Sequence, residues 1–371
     1  FDVSENDWVW RDYLQSNVSN KLAEILDKMI VGATRKRFKN VGEILSVLQS
    51  NYQGKTQFIS LQQISQQSII PPISQIKNKP ISPPQIFQPQ ISQPEKDELF
   101  TFEVVTIKKS GGGFTTEQTE GSAKQRIEDL GNDIKLEMVY IPGGSFLMGS
   151  PKNELKRHNN EGPQHEVTLQ PFYMSKYPIT QNQYQAIMGK NPSRFQGGKR
   201  PVECVSWYDA TEFCQNLFMK TGENYRLPSE SQWEYACRAG TITPFYFGET
   251  ITSELINYNG NFPYGNAPKG KYREQTTDVG SFPPNAFGLY DMHGNVLEWC
   301  ADEWHRSYQG APTDGSVWLD GDKSYSPLRG GSWYTYSFLC RSAFRIINIW
   351  RDYRNYTVGF RVLCSIGRTL F

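Results

Sequence analysis

Apolar positions change their rhythm twice along the 371-residue chain. Leu22, Ile25, Leu26 and Met29 recur at the spacing of one helical face, and Ser19 stands where a helix cap belongs. Val41, Ile44, Leu45 and Leu48 repeat that spacing after Asn40, with Glu43 placed for a capping box. Residues 1–50 therefore predict two amphipathic helices joined by a basic turn. So short a pair buries little surface alone and needs a partner surface. The rhythm then disappears. Of the 42 residues from 53 to 94, 11 are Gln and 7 are Pro. Proline at this density blocks helix and continuous sheet. Residues 51–98 thus predict an extended linker with polyproline character. From residue 99 to 371, short apolar runs such as Met138–Ile141 alternate with Gly, Pro and Asn turns. Helical spacing returns after Ser206 (Trp207, Ala210, Cys214) and after Ser229 (Trp233, Ala236, Cys237). That mixture predicts an α+β domain of short elements and many loops.

Charge adds exclusions. Thirty-nine Lys and Arg against 38 Asp and Glu leave a net charge of +1, too small a field to draw in nucleic acid. No apolar run is long enough to span a bilayer, so neither nucleic acid nor membrane is an expected partner. Aromatics at 13 % argue against a wholly disordered chain. Six Cys in this length do not make a disulfide scaffold, and no signal peptide precedes them. Reduced thiols in a cytoplasm are the expectation. The first residue is Phe, so the chain is expected to be a piece of a longer protein.

The 1–50 segment resembles the last helices of a protein-kinase C-terminal lobe, with Arg37 matching the Arg that pairs there with a buried acid. The Gly-rich loop, the β3 Lys and the two Asp residues that phosphoryl transfer requires are absent from this chain. The resemblance implies a kinase domain in cis in the parent protein, not kinase activity in this chain.

The third region carries ordered motifs. Ile141-Pro142-Gly143-Gly144-Ser145-Phe146 is followed by Tyr177-Pro178-Ile179-Thr180-Gln181 and by Pro201-Val202-Glu203-Cys204-Val205-Ser206-Trp207. Arg226-Leu227-Pro228-Ser229-Glu230 precedes Gly288-Leu289-Tyr290-Asp291-Met292-His293-Gly294-Asn295-Val296. Glu298-Trp299, Arg329-Gly330-Gly331-Ser332-Trp333 and Gly359-Phe360-Arg361 close the series. Together they resemble the formylglycine-generating-enzyme (sulfatase-modifying-factor) family. The resemblance implies a C-type-lectin-like fold with little regular secondary structure. It also implies an oxidase with two copper(I)-binding cysteines, two and seven residues after the Trp of the Arg-Gly-Gly-Ser-Trp motif. Here those positions are Thr335 and Cys340. A hydroxyl is a hard donor and does not replace a thiolate, so no copper and no oxidase activity are expected. The family's structural calcium would fall to Asp291, Glu298 and the carbonyls of Gly294 and Val296, a hard oxygen set. A related non-heme-iron use of the fold needs clustered His, whereas the four here, at 158, 165, 293 and 305, are dispersed.

Between Trp333 and Gly359 the framework residues Cys340-Arg341-Ser342-Ala343, Arg345 and Arg354 alternate with a different set. That set is Tyr334, Thr335, Tyr336, Phe338, Leu339, Phe344, Ile346, Ile347, Asn348, Ile349, Tyr353, Asn355, Tyr356 and Thr357. Neither a helical nor a two-residue period orders it. Substituting the first two adenines of an Asn codon yields Tyr, Thr, Ser, Phe, Leu or Ile, or leaves Asn. The pattern resembles the variable region of diversity-generating-retroelement proteins, in which such adenines are randomised. Trp350 cannot arise in this way and stands apart from the set. The resemblance implies a non-catalytic domain whose residues 334–357 form one exposed face for a protein or peptide ligand, with Trp333, Arg341, Arg345 and Arg354 bracing it. A divergent oxidase and an accessory domain of a kinase are the alternatives.

Overall fold

The computed structural model describes residues 97–366, apart from positions 112 and 348. The helix pair expected over 1–50, the linker residues up to 96 and the candidate Asn348 lie outside the described residues.

The fold is α+β with little regular structure. Its main sheet joins β1 (Glu98–Ser110), β2 (Gly113–Asp129), β3 (Lys135–Ile141), β6 (Phe172–Ser175), β11 (Leu363–Ser365) and β7 (Tyr225–Arg226), in that spatial order. The last strand therefore enters between β6 and β7, antiparallel to both. A hairpin of β4 (Gly144–Met148) and β5 (His165–Leu169) stands beside it, and β8 (Leu297–Trp299) lies between β10 (Val358–Gly359) and β9 (Leu328–Arg329). This small sheet anchors both ends of the 334–357 segment: β9 leads into it and β10 leads out.

Three helices pack on these sheets, and each begins with a reciprocal capping box. In α2 (Trp207–Thr221) the Ser206 hydroxyl accepts from the Asp209 amide, and Asp209 accepts from the Ser206 amide at 2.8 Å. Ala210, Phe213, Cys214 and Leu217 form its buried stripe. In α3 (Glu230–Arg238) Ser229 and Gln232 play the same parts, and every residue is buried. Both helices stand where the spacing places them. A shorter helix, α1 (Gln181–Met188), is capped by Thr180 and Gln183 and has too few turns to show a period. The β1–β2 hairpin is likewise not evident in the sequence. It is mostly exposed, so its strands lack strict apolar alternation, and Phe102 folds over Gly121 on the facing strand. No helix among the described residues is long and apolar enough to cross a membrane.

Buried ion pairs hold the loops. Arg329 donates to Glu230 at 2.7 Å and to Glu234 at 2.6 Å, and Arg345 donates to Glu230 at 2.6 and 2.7 Å. Arg341 is paired with Glu161 at 2.6 Å and with Glu154. Arg361 grips Glu298 at 2.7 and 2.9 Å. Buried charges need such partners, because an unpaired one is very costly.

Asp302 is one of the buried carboxyls held without a described cation. Its carboxyl is buried and accepts from the Glu230 amide at 2.6 Å and the Trp318 amide at 3.0 Å, and no cation among the described residues bonds to it. Burial, reinforced by the Glu230 charge, pushes it up to about 7. A folded-state value above the unfolded one means the protonated form is favoured on folding. The contribution is complete below about pH 4 and is lost as the pH rises through about 7. Asp302→Asn is therefore expected to flatten the fall in stability over that window. Urea midpoints measured across the pH range check this, and an unchanged slope would contradict it.

Candidate binding site

The 334–357 segment leaves β9 through Gly330 and Gly331, whose φ angles of +90° and +73° turn the chain sharply. A tight turn follows: the Thr335 hydroxyl accepts from the Ser332 amide at 2.8 Å, and the Thr335 amide donates to the Ser332 carbonyl at 3.1 Å. Trp333 is driven inward, with its ring lying nearly parallel to Tyr272 and Tyr356 and edge-on to Phe195 and Tyr334. Its indole N–H donates to the Tyr356 carbonyl at 3.2 Å, which joins the two ends of the segment. Beyond this buried post the chain opens a groove of about 330 Å³, lined by Asn259, Phe262, Tyr272, Tyr334, Thr335, Tyr336 and Leu339. Tyr336 packs on Phe262 with ring centroids 4.0 Å apart, and Phe338 packs against Tyr336 at 6.0 Å.

The expected single face divides. Tyr334, 55 % exposed, Thr335, Tyr336, Leu339 and Tyr356 gather around the groove and its Trp333 post, while Phe338 is half-buried against the core behind Tyr336. Ile347 and Tyr353 are also exposed, but they flank Trp350, whose ring lies tilted against Tyr325 with centroids 4.5 Å apart. The other members are structural. Phe344 is only 6 % exposed, edge-on to His158 and close to Arg341. Ile346 and Ile349 pack against the core, with Ile346 bridged to Leu328. Asn355 spends its side-chain oxygen on the Thr357 amide at 3.1 Å and the Thr357 hydroxyl at 2.9 Å, and Thr357 is buried. These four groups, with Phe344, lie where a residue must fill space or close a turn, whatever its codon. Arg341 and Arg345 point inward as expected. Arg354 is exposed, yet it braces the segment through a two-bonded pair with Asp209 at 2.7 and 2.9 Å.

Thr335 and Cys340 meet beneath the groove, with the Thr335 hydroxyl 3.4 Å from the Cys340 sulfur. The two positions that the resemblance assigns to copper thus converge, but with one thiol between them. Burial pushes that thiol up to about 12, so it is held as a neutral group. His293 lies beside it: one ring nitrogen contacts the Cys340 carbonyl at 2.7 Å, and the other accepts from the Tyr246 amide at 3.1 Å. Burial pulls this imidazole down to about 3, which keeps it neutral and makes it a brace for the Cys340 backbone. A hard hydroxyl beside a single thiol does not supply the thiolate pair of a copper(I) centre.

Of the four groups assigned to calcium, both carboxylates already have partners within the chain. Both Glu298 oxygens are taken by Arg361, and one also accepts from the Trp233 indole at 2.7 Å. Asp291 accepts from the Gly280 amide at 2.8 Å and the Asn295 side chain at 3.4 Å. Gly294 donates to the Gly330 carbonyl, and its positive φ of +80° and close approach to the Asn257 carbonyl require glycine there. Val296 is wholly buried in the sheet region. Among the described residues no group of three or more His, Cys, Asp or Glu is placed to hold a metal ion.

The model of the sulfatase-modifying factor enzyme 1-like domain matches residues 126–366. The chain belongs to that family. The serine/threonine-protein kinase pkn1 of Chlamydia caviae is 31 % identical to this chain over 260 residues. The alignment takes in 62 % of the present chain but only 38 % of that kinase. Among solved structures, PvdO from Pseudomonas aeruginosa is 37 % identical with a TM-score of 0.57, over 65 % of this chain and 98 % of PvdO. Treponema denticola variable protein 1 is 26 % identical, also with a TM-score of 0.57, over 65 % of this chain and 99 % of its own. The family match begins at Arg126, so β1 and most of β2 precede it.

The groove's fixed wall was not singled out in the sequence. Asn259, Phe262 and Tyr272 lie more than 60 positions before Tyr334, and only the fold brings them together. The backbone link is direct: the Asn259 amide donates to the Thr335 carbonyl at 3.0 Å.

Proposed function

We propose that this sulfatase-modifying-factor-like domain is a non-catalytic ligand binder with a C-type-lectin type of fold. Its diversified surface is built by a retroelement that randomises Asn codons. One observation carries the reading. The codon-compatible residues Tyr334, Thr335, Tyr336 and Leu339 rim an open aromatic groove, whereas the intervening framework residues Cys340, Arg341, Ser342 and Arg345 are buried. A rigid support with changeable side chains on its rim is what variation without unfolding requires. Likeness to the Treponema variable protein supports the same reading. The ligand is a protein or peptide, because large aromatic side chains supply contact area at modest entropic cost. Likeness to the chlamydial kinase and the kinase-like character of residues 1–50 support a kinase in cis as the partner in the parent protein. The reading makes the domain a sensor attached to that kinase.

The non-catalytic half is tested chemically. Incubated with copper(I), oxygen and a Cys-containing sulfatase peptide, the protein is expected to form no aldehyde detectable by mass spectrometry. Thr335→Cys places a second thiol against Cys340 and is expected to gain copper(I) binding in competition with a chromophoric chelator. Efficient turnover by the unmodified protein would end the reading. A variant that competes no better than the parent would contradict the account of the Thr335–Cys340 pair.

A further inference from the structure

The groove has two walls of different origin. Tyr334, Thr335, Tyr336 and Leu339 come from the segment read as variable, whereas Asn259, Phe262 and Tyr272 come from outside it. A wall that stays constant while its partner changes must contact something common to every ligand. Asn259 is the polar group of the constant wall. It is 8 % exposed and lines the groove. Its side-chain oxygen accepts from the Asn261 amide at 3.2 Å, which turns the amide nitrogen the other way. That nitrogen donates to no group among the described residues. Its backbone is held on both sides, by the Thr335 carbonyl at 3.0 Å and by the Phe262 amide at 3.1 Å, so the donor is pre-positioned.

We infer that Asn259 donates to a main-chain carbonyl of an extended, uncharged segment of a protein ligand. The aromatic walls take the adjoining apolar side chain. The inference rests on the ligand-binding reading above and adds the ligand's chemistry. Three observations select this occupant. The groove, at about 330 Å³, lies at the small end of ligand sites, room for a short stretch of peptide. All seven lining residues are neutral, so a charged ligand group would be desolvated without a partner. The pre-positioned group of the constant wall is a donor, which calls for an acceptor, and the peptide carbonyl is the acceptor that every protein sequence repeats. Constant residues would then read the backbone, and variable residues the side chain.

The test uses N-acetyl-L-leucine N-methylamide as the probe on the full chain, followed by NMR. Saturable shifts of the Tyr334 and Tyr336 rings are expected, with the Asn259 side-chain amide protons moving downfield. The carboxylate probe N-acetyl-L-leucinate should bind more weakly. Asn259→Asp keeps the acceptor for Asn261 and removes the donor. It should weaken the diamide by about tenfold at an unchanged melting temperature. If that variant melts early, the Asn259 amide protons of the unmodified protein decide alone. Amide protons that stay in place while the rings shift would overturn the inference, as would equal binding by Asn259→Asp or tighter binding of the carboxylate or of a methyl glycoside. None of these results bears on whether the segment is diversified, which is read from DNA.

Discussion

Glu230→Ala is expected to cost about 3–5 kcal/mol or more, enough to threaten folding of the domain at all. Glu230 opens α3 and is almost fully buried. Its two oxygens hold Arg329 from β9 and Arg345 from the middle of the 334–357 segment. Removing it leaves two buried guanidinium groups short of a carboxylate, although Arg329 retains Glu234. Arg345 retains only carbonyl partners, at Asn160 and His305. Burial alone would raise the Glu230 carboxyl, and the two Arg charges reverse this and hold it below its ordinary value. A folded-state value below the unfolded one gives stability that is present at neutral pH and lost as the pH falls through the carboxylate range. Urea unfolding of the variant checks the claim. A loss under about 1 kcal/mol would show that the Arg side chains find other partners and that the framework is not rigid.

A sharp contrast in stability is expected inside the 334–357 segment. Tyr334→Asn, Tyr336→Asn and Ile347→Asn change exposed side chains and should each move the unfolding free energy by about 0.5 kcal/mol or less. Phe344→Ala removes a ring wedged between His158 and Arg341 and should cost about 3–5 kcal/mol. All four positions fit the same Asn codon, so codon compatibility alone predicts equal tolerance. Burial predicts the opposite. A triple variant of the exposed positions that unfolds, beside a tolerated Phe344→Ala, would mean the apolar residues of 334–347 serve the core in reverse of this assignment.

The capped helices and the buried framework were legible because their signals are local. Ser206 with Asp209 and Ser229 with Gln232 sit three residues apart, and an apolar stripe follows each pair. The framework Arg residues stood out by contrast with their aromatic and aliphatic neighbours. The single exposed face was not legible. Side chains in a loop without a period take their direction from the turn geometry, and that geometry comes from Gly330, Gly331 and hydrogen bonds to distant carbonyls. Phe344 and Thr357 turn inward and Ile346 and Ile349 lean on the core for this reason. Glu298 illustrates the same limit. Its carboxylate pairs with Arg361, 63 positions away, a partner that only the fold reveals. The groove's constant wall, contributed by Asn259, Phe262 and Tyr272, depends equally on a contact between distant parts of the chain.

The central claim is that the rim of the groove varies on a constant support. Sequencing this coding segment and its flanking DNA across a population of cells tests it most directly. The account predicts a nearby near-copy of the segment carrying adenines at the rim codons, beside a reverse transcriptase gene. Amino-acid differences should concentrate at Tyr334, Thr335, Tyr336, Phe338, Leu339, Ile347, Tyr353 and Tyr356, with Ser332, Trp333, Cys340, Arg341 and Arg345 unchanged. A segment with no such copy, or with differences spread evenly over rim and framework, would contradict it.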